Sequence, residues 1–332
     1  MVAAGGMTAP IQRAGPLRVG PVDSARDPQV HALFEKVFGT PKPPAWWHWK
    51  YGEGRGLAYG AWRDGALVAH YAAFPRLVYW QGKTVPVFQV GDVMVEPRER
   101  GVLTRKGAFQ RCASAFLDAY LGEGRPYRLG YGFPNLRALK VAVRLELYAP
   151  VDRMREISWS LGADRPPPRR HRLQSFVPGR DAHLVVRLWS RMRRRLSEAI
   201  VGVRDFDYVR HRYLCHPEHR YRLYLLTDWF GLRGLGLIVV RREGDRWLWV
   251  DWIGAPEDMP TAVTQLRYTL AREAPGDCYT WVSTLTARWL AGAGGRQQPL
   301  DVYVPTGIST PGPAPAKLRE RWWLMPGDTD FF

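Results

Sequence analysis

A strand-like run, PVFQVGDVMV (Pro86–Val95), passes through EPRERGVLTRKG into a helical run, AFQRCASAFLDAYL (Ala108–Leu121). No other stretch constrains the fold as much. The first run carries the valines and aromatics that favour strands. The second places Phe109, Ala113, Phe116, Leu117, Tyr120 and Leu121 on one face at helical spacing. Where a strand stops and a helix starts, several backbone N–H groups are left pointing the same way, and the helix dipole adds partial positive charge. The join holds four cations (Arg98, Arg100, Arg105, Lys106) and two glycines (Gly101, Gly107). Glycine lets an anion approach the backbone closely. On these residues alone two readings stand side by side, a cradle for a diphosphate and a basic surface turn.

The rest of the chain sets the frame around that join. Its 332 residues, 46% hydrophobic and 13% aromatic, suffice for two folded cores. No run of about 18 apolar residues marks a membrane span. MVAAGGMTAPIQRAG lacks the basic start and apolar stretch of a signal peptide, so a loose tail over residues 1–16 on a cytoplasmic protein is expected. Three scattered cysteines imply no disulfide framework. The net charge of +17 favours anionic partners such as phosphorylated cofactors, nucleic acid or acidic membrane surfaces, and a genome that favours arginine codons accounts for it equally well.

The patterns alternate. Gln29–Phe38 predicts a helix, and the proline- and glycine-rich TPKPPAWWHWKYGEGRG predicts a break. LAYGAWRDGALVAHYAAF reads as a hairpin turning at Asp64-Gly65, YRLGYGF as a strand, and NLRALKVAVRLE as a helix capped by Asn135. GADRPPPRRHRLQSFVPGRDAH and the basic helix LVVRLWSRMRRRLSEAI make a connection over residues 161–200. Beyond it the pattern recurs faintly. WKYGEGRG has a counterpart in RYLCHPEH, and Asp92 precedes Pro97 at the same offset as Asp251 precedes Pro256. A duplicated α/β (α+β) fold is expected, with one unit at 17–160 and a degenerate one at 201–332, each a mostly antiparallel twisted sheet flanked by helices. Only the first copy has the basic, glycine-containing join.

VEPRERGVL between a strand and an amphipathic helix, followed by YGFPNLRALKVAVRLELY, resembles a GCN5-related N-acetyltransferase (GNAT) domain. WHWKY, GDVMV, YGFPN and GDTDFF further resemble a bacterial subgroup with two tandem GNAT-like halves. The family's loop, Arg/Gln-x-x-Gly-x-Gly/Ala, is met by Arg98 and Gly101, while Leu103 replaces the second small residue. Asn135 and Ala138 match the family's Asn at a helix start and its following Ala. Ala142 stands where the family often has a tyrosine, and Glu146 where it usually has glycine.

The resemblance implies acyl transfer from coenzyme A, most simply acetyl-CoA, to an amine, with no metal. The cofactor would be held by Val93, Val95, Arg98, Arg100, Gly101, Val102, Leu103, Gly107 and Asn135. Backbone N–H groups of the strand holding Val93, Met94 and Val95 would face the thioester oxygen. Asp92 and, after it, Glu96 are candidate bases for the amine, with Tyr148 as acid to the leaving thiolate. Beside each stands a plainer reading: Asp92 as a buried hydrogen-bond partner, Tyr148 as a half-buried strand residue, Asn135 as a cap only. Trp46, Trp47 and Trp49 fit core packing or a groove for a sugar or aromatic acceptor, such as a cell-envelope precursor. His211, Cys215, His216 and His219 match no common zinc spacing. Two alternatives remain: an aminoacyl-tRNA-dependent transferase of the Fem type, and a non-catalytic RNA- or partner-binding module for which the arginines near 165–195 would bind phosphate.

Overall fold

The computed structural model describes residues 15–100, 107–162, 170–307 and 312–329. The first half contains β1 (Leu17–Pro21), α1 (Pro28–Phe38), α2 (Pro44–Tyr51), β2 (Leu57–Arg63), β3 (Ala66–Trp80), β4 (Lys83–Val95), α3 (Ala108–Tyr120), β5 (Gly130–Gly132), α4 (Leu136–Arg144) and β6 (Tyr148–Ser160). Next come β7 (His171–Ser175), α5 (Pro178–Arg195), β8 (Ile200–Gly202) and α6 (Phe206–Val209). The second half continues with β9 (Arg222–Asp228), β10 (Gly234–Glu243), β11 (Arg246–Gly254), α7 (Met259–Ala271), β12 (Asp277–Val282), α8 (Thr284–Leu290), β13 (Arg296–Gly307), α9 (Pro315–Leu318) and β14 (Trp322–Trp323).

Twelve strands form one continuous sheet in the order β1-β2-β3-β4-β5-β13-β6-β12-β11-β10-β9-β7, with β8 pairing β3 and β14 off that path. The two halves run in mirrored order. Each has an antiparallel set followed by one parallel pair, β4 with β5 and β11 with β12. They then exchange their last strands. β6 lies between β13 and β12, and β13 lies between β5 and β6. By pairing, β6 therefore belongs with residues of the second half as much as with the first, and a boundary at residue 160 cuts a shared sheet.

β3 is buried on both faces, and strand alternation divides its residues between two layers. Ala69, Tyr71 and Ala73 pack with Ala108, Cys112, Ala113, Phe116 and Leu117 of α3. Ala72 and Phe74 pack instead with Val30, Leu33 and Phe34 of α1 and with Trp46, Trp47 and Tyr51 of α2. Phe116 is fully buried, and its truncation to alanine would cost about 3–5 kcal/mol. α2 lies where the sequence predicted a break. Pro44 occupies the first helical turn, where its missing N–H costs no bond and its fixed φ suits the helix. The connection also holds more structure than expected: β7 adds an edge strand to β9.

Candidate active site

β4 and β5 pair only at Phe88↔Gly130, Gln89↔Tyr131 and Val90↔Gly132. β5 ends there while β4 continues to Val95, so the two strands part. A cavity of about 1110 Å³ opens at the gap. Its walls come from both halves: Val90–Val93 on β4, Asn135 and Ala138 at the start of α4, and His211, Arg212 and Thr329 from the second half.

At the mouth of the gap β4 is irregular. Ala72 pairs Gly91 and His70 pairs Met94, so Asp92 and Val93 together face the single residue Tyr71. Such a bulge takes backbone groups out of the ladder and re-aims them. Asp92 adopts φ 47, a left-handed conformation that aspartate tolerates better than most residues. Three side chains hold it there. Lys50 Nζ lies 2.8 Å from Asp92 Oδ2, with both side chains 8% exposed. The Tyr51 hydroxyl donates to Oδ2 at 2.6 Å. His70 Nδ1 lies 2.8 Å from the Asp92 carbonyl oxygen and therefore carries the proton; its Nε2 then accepts from Ser24 Oγ at 2.7 Å. Burial keeps the His70 imidazole below its usual pKa, which favours this neutral form. These partners come from three separate segments, and no local pattern marks them.

The residues singled out in the sequence are distributed as follows. Asp92, Val93, Val95, Arg100, Asn135 and Tyr148 line the cavity. Glu96 does not line it; its carboxylate pairs with Lys36 at 2.7 Å. Arg98 is exposed in the turn before the join and is likewise off the wall. Arg100 Nε donates to the Val95 carbonyl at 3.0 Å. Gly107 is the N-cap of α3 and offers no side-chain bond to the helix N–H groups. Gly101, Val102, Leu103, Arg105 and Lys106 lie outside the described residues. Asn135 caps α4, its Oδ1 accepting from the Ala138 N–H at 2.9 Å. Glu146 takes φ 57, the conformation glycine adopts most readily.

Tyr148 is 6% exposed, and its hydroxyl has no hydrogen-bond partner among the described residues. Burial pushes the phenol well above its usual pKa, so it keeps its proton. A buried donor without an acceptor is costly unless a bound molecule supplies one. Trp46 and Trp47 belong to the core, whereas Trp49 faces the cavity and stacks on His211 with ring centroids 5.2 Å apart. Burial and neighbouring cations lower the pKa values of His211, His216 and His219 to about 4, 3 and 4. His216 Nδ1 accepts from the N–H groups of Glu218 and His219. No three metal-type ligands converge among the described residues. On α5, Arg191 pairs with Asp258 and Arg195 with Glu257, so that helix spends cations on its own protein. No helix among the described residues is long and apolar enough to cross a membrane.

The family model of the acetyltransferase (GNAT) domain matches residues 19–136. No curated protein sequence matches the chain. Among solved structures, it is similar to a probable N-acyltransferase from Enterococcus faecalis V583, with 13% identity, 92% of this chain and 74% of that one covered, and TM-score 0.66. A GCN5-related N-acetyltransferase from Kribbella flavida shares 17% identity over 88% of this chain and 71% of its own, with TM-score 0.61. Saccharomyces cerevisiae N-myristoyltransferase with bound myristoyl-CoA shares 12% identity over 97% and 89%, with TM-score 0.56. At these identities the likeness is one of fold. With the splayed strands, the bulge and the matched residues together, the chain carries over residues 19–136 a domain of the GCN5-related N-acetyltransferase family, a family of acyltransferases.

Proposed function

We propose that the protein is an acyl-CoA-dependent N-acyltransferase, most simply an N-acetyltransferase, acting in the cytoplasm on an amine brought to the cavity between its halves. The observation that carries this reading is the parting of β4 from β5 beside the Asp92–Val93 bulge. An extended thioester arm laid in that gap would complete the interrupted sheet edge with its amide groups. A backbone N–H of the Asp92–Val93 bulge, most simply that of Val93, would stabilise the negative charge growing on the thioester oxygen. Diphosphate would sit toward the uncapped start of α3, near Gly107 and Arg100.

Tyr148 is the acid of this scheme. The departing thiolate needs a proton, and Tyr148 offers a buried phenol that holds one and has no other acceptor among the described residues. Asp92 acts differently from a free base. With Lys50 and Tyr51 on its carboxylate, it is a positioning residue that fixes the bulge. The second half, residues 201–332, is a degenerate copy whose contribution is the opposite wall of the cavity. Its arrangement supports duplication through the mirrored strand order and a Tyr–Asp contact at the matching place.

The test is to follow release of free thiol from acetyl-CoA in the presence of a panel of primary amines. Amine-dependent release, with acetylated amine recovered in equal amount, supports the reading. Thiol release independent of any amine, or none with every amine while acetyl-CoA fails to bind, refutes it.

A further inference from the structure

Seven lysine and arginine side chains line the cavity (Lys42, Lys50, Arg55, Arg76, Arg100, Arg137 and Arg212), more than the carboxylates that face it. Four carboxylates line the cavity, and each is already engaged. Asp92 pairs with Lys50, Glu99 with Arg63, and Glu218 with Lys42, while Asp301 accepts the Leu136 N–H. Arg55 meets Glu53 and two backbone carbonyls. Arg76, on β3, meets no carboxylate among the described residues. Its Nε donates to Gln89 Oε1 at 3.2 Å and its Nη1 to the Pro75 carbonyl at 3.4 Å. Both acceptors are neutral. The guanidinium is partly buried against the Phe74 ring, 5.7 Å from its centroid, and faces the cavity. Gln89 beneath it is wholly buried, and its Nε2 has no acceptor among the described residues.

A partly buried guanidinium that is neither ion-paired nor free in water is poorly solvated, and a planar anion is the ligand that suits its fork of donors. Beside it the Trp49 indole and the His211 imidazole form a flat stack at an interplanar angle of 16°. Burial first, and then the charges of Arg55, Arg76 and Arg212, keep that imidazole neutral. An ammonium group set in the same field would shed its proton more readily, as acyl transfer requires.

We propose that the acceptor amine belongs to an anionic molecule, one bearing a carboxylate or phosphate in addition to its amine, and that Arg76 binds that anion beside the Trp49–His211 stack. This rests on the acyltransferase reading and narrows it. Arg76 is then the residue that sets acceptor specificity, and neutral amines of the same shape are poor substrates.

The experiment compares matched acceptors with acetyl-CoA and the full chain: phosphoethanolamine against ethanolamine, β-alanine against β-alaninamide, and glucosamine 6-phosphate against glucosamine. In at least one pair the anionic member should show a kcat/KM at least tenfold higher. The pair that does so tells phosphate from carboxylate. Arg76→Gln should collapse that ratio toward one, and Arg76→Lys, which keeps the charge but not the fork, should restore part of it. Equal kcat/KM within all three pairs, or a ratio that survives Arg76→Gln in protein that still melts cooperatively, overturns the proposal. If no amine is acetylated, melting of the coenzyme A-bound protein is read against the same six compounds. Stabilisation by an anionic member that Arg76→Gln abolishes supports the proposal, and stabilisation by none overturns it. Failure of acetyl-CoA itself to bind would instead strike the acyltransferase reading.

Discussion

The Asp92 and Asp251 sites occupy matching places in the two halves, yet among the described residues Asp92 lines the cavity between them and Asp251 does not. In both, a tyrosine hydroxyl donates to the aspartate at 2.6 Å, Tyr51 to Asp92 and Tyr213 to Asp251. In both, a cation lies beside it, Lys50 in one and Arg204 in the other. A bulge includes Asp92 in the first half and lies beside Asp251, at Val250, in the second, and a short 3₁₀ turn begins at Pro97 or Pro256 five residues on from each aspartate. The surroundings then diverge. Asp251 is fully buried, shares Arg204 with Asp328, and receives a second phenol from Tyr208. The segment Pro326–Asp328 packs against both β11 and β12, with Trp323 and Met325 in the core beneath. Gly327 there has no room for a side chain, since a Cβ would overlap the Tyr213 hydroxyl. The second half has filled its gap with its own chain, while the first has kept it open. The feature common to both, a tyrosine tying a helical segment to a bulged strand, is therefore architectural; the feature that differs is where chemistry can occur.

That contrast can be broken most forcefully at Asp251. Asp251→Ala leaves Arg204 buried with a partner removed and should cost about 3–5 kcal/mol, read from the urea midpoint. A loss below 1 kcal/mol would mean the sealed cluster is not what holds the second half. Next is Tyr148→Phe. Removing a buried hydroxyl that has no partner among the described residues should leave stability unchanged or slightly raised, while amine acetylation falls about 10²-fold. Unchanged turnover would return Tyr148 to a packing role. Asp92→Asn should lower stability by about 1–3 kcal/mol, less than the Asp251 change, because its cluster borders the cavity. If it abolished turnover with no change in melting, Asp92 would be a base rather than a positioning residue.

The smallest effect concerns pH. His211, His216 and His219 have folded pKa values lowered from 6.5 to about 4, 3 and 4. Below pH 6.5 the unfolded chain takes up protons that the folded wall refuses, so stability falls as pH drops from about 6.5 toward 4. Above 6.5 these groups contribute no slope. A series of melting curves across this range should show a shallower fall for His216→Gln than for the parent.

Local features were legible in the sequence. The Asp64-Gly65 turn has φ values of 49 and 80, and Asn135 caps α4 through its own side chain. α3 buries the apolar face that its spacing predicts. α2 was not legible, because two prolines in succession read as a break when the second begins a helix. The exchange of β6 and β13 is a long-range pairing that leaves no periodic trace. Asp92 was found from its place in an apolar strand, but Lys50, Tyr51 and His70 converge on it only in three dimensions. Arg76 lies within a hairpin strand, and its partial burial beside the Phe74 ring with only neutral acceptors, Gln89 and the Pro75 carbonyl, arises in three dimensions.

The most direct measurement is the melting temperature of the folded protein against rising acetyl-CoA, with adenosine diphosphate as the control. A cofactor cradle at the β4–β5 gap gives a saturable rise, equivalent to about 2.7 kcal/mol at 100 times the dissociation constant, and a much smaller one with the control. No rise with acetyl-CoA, in protein that melts cooperatively, would contradict it.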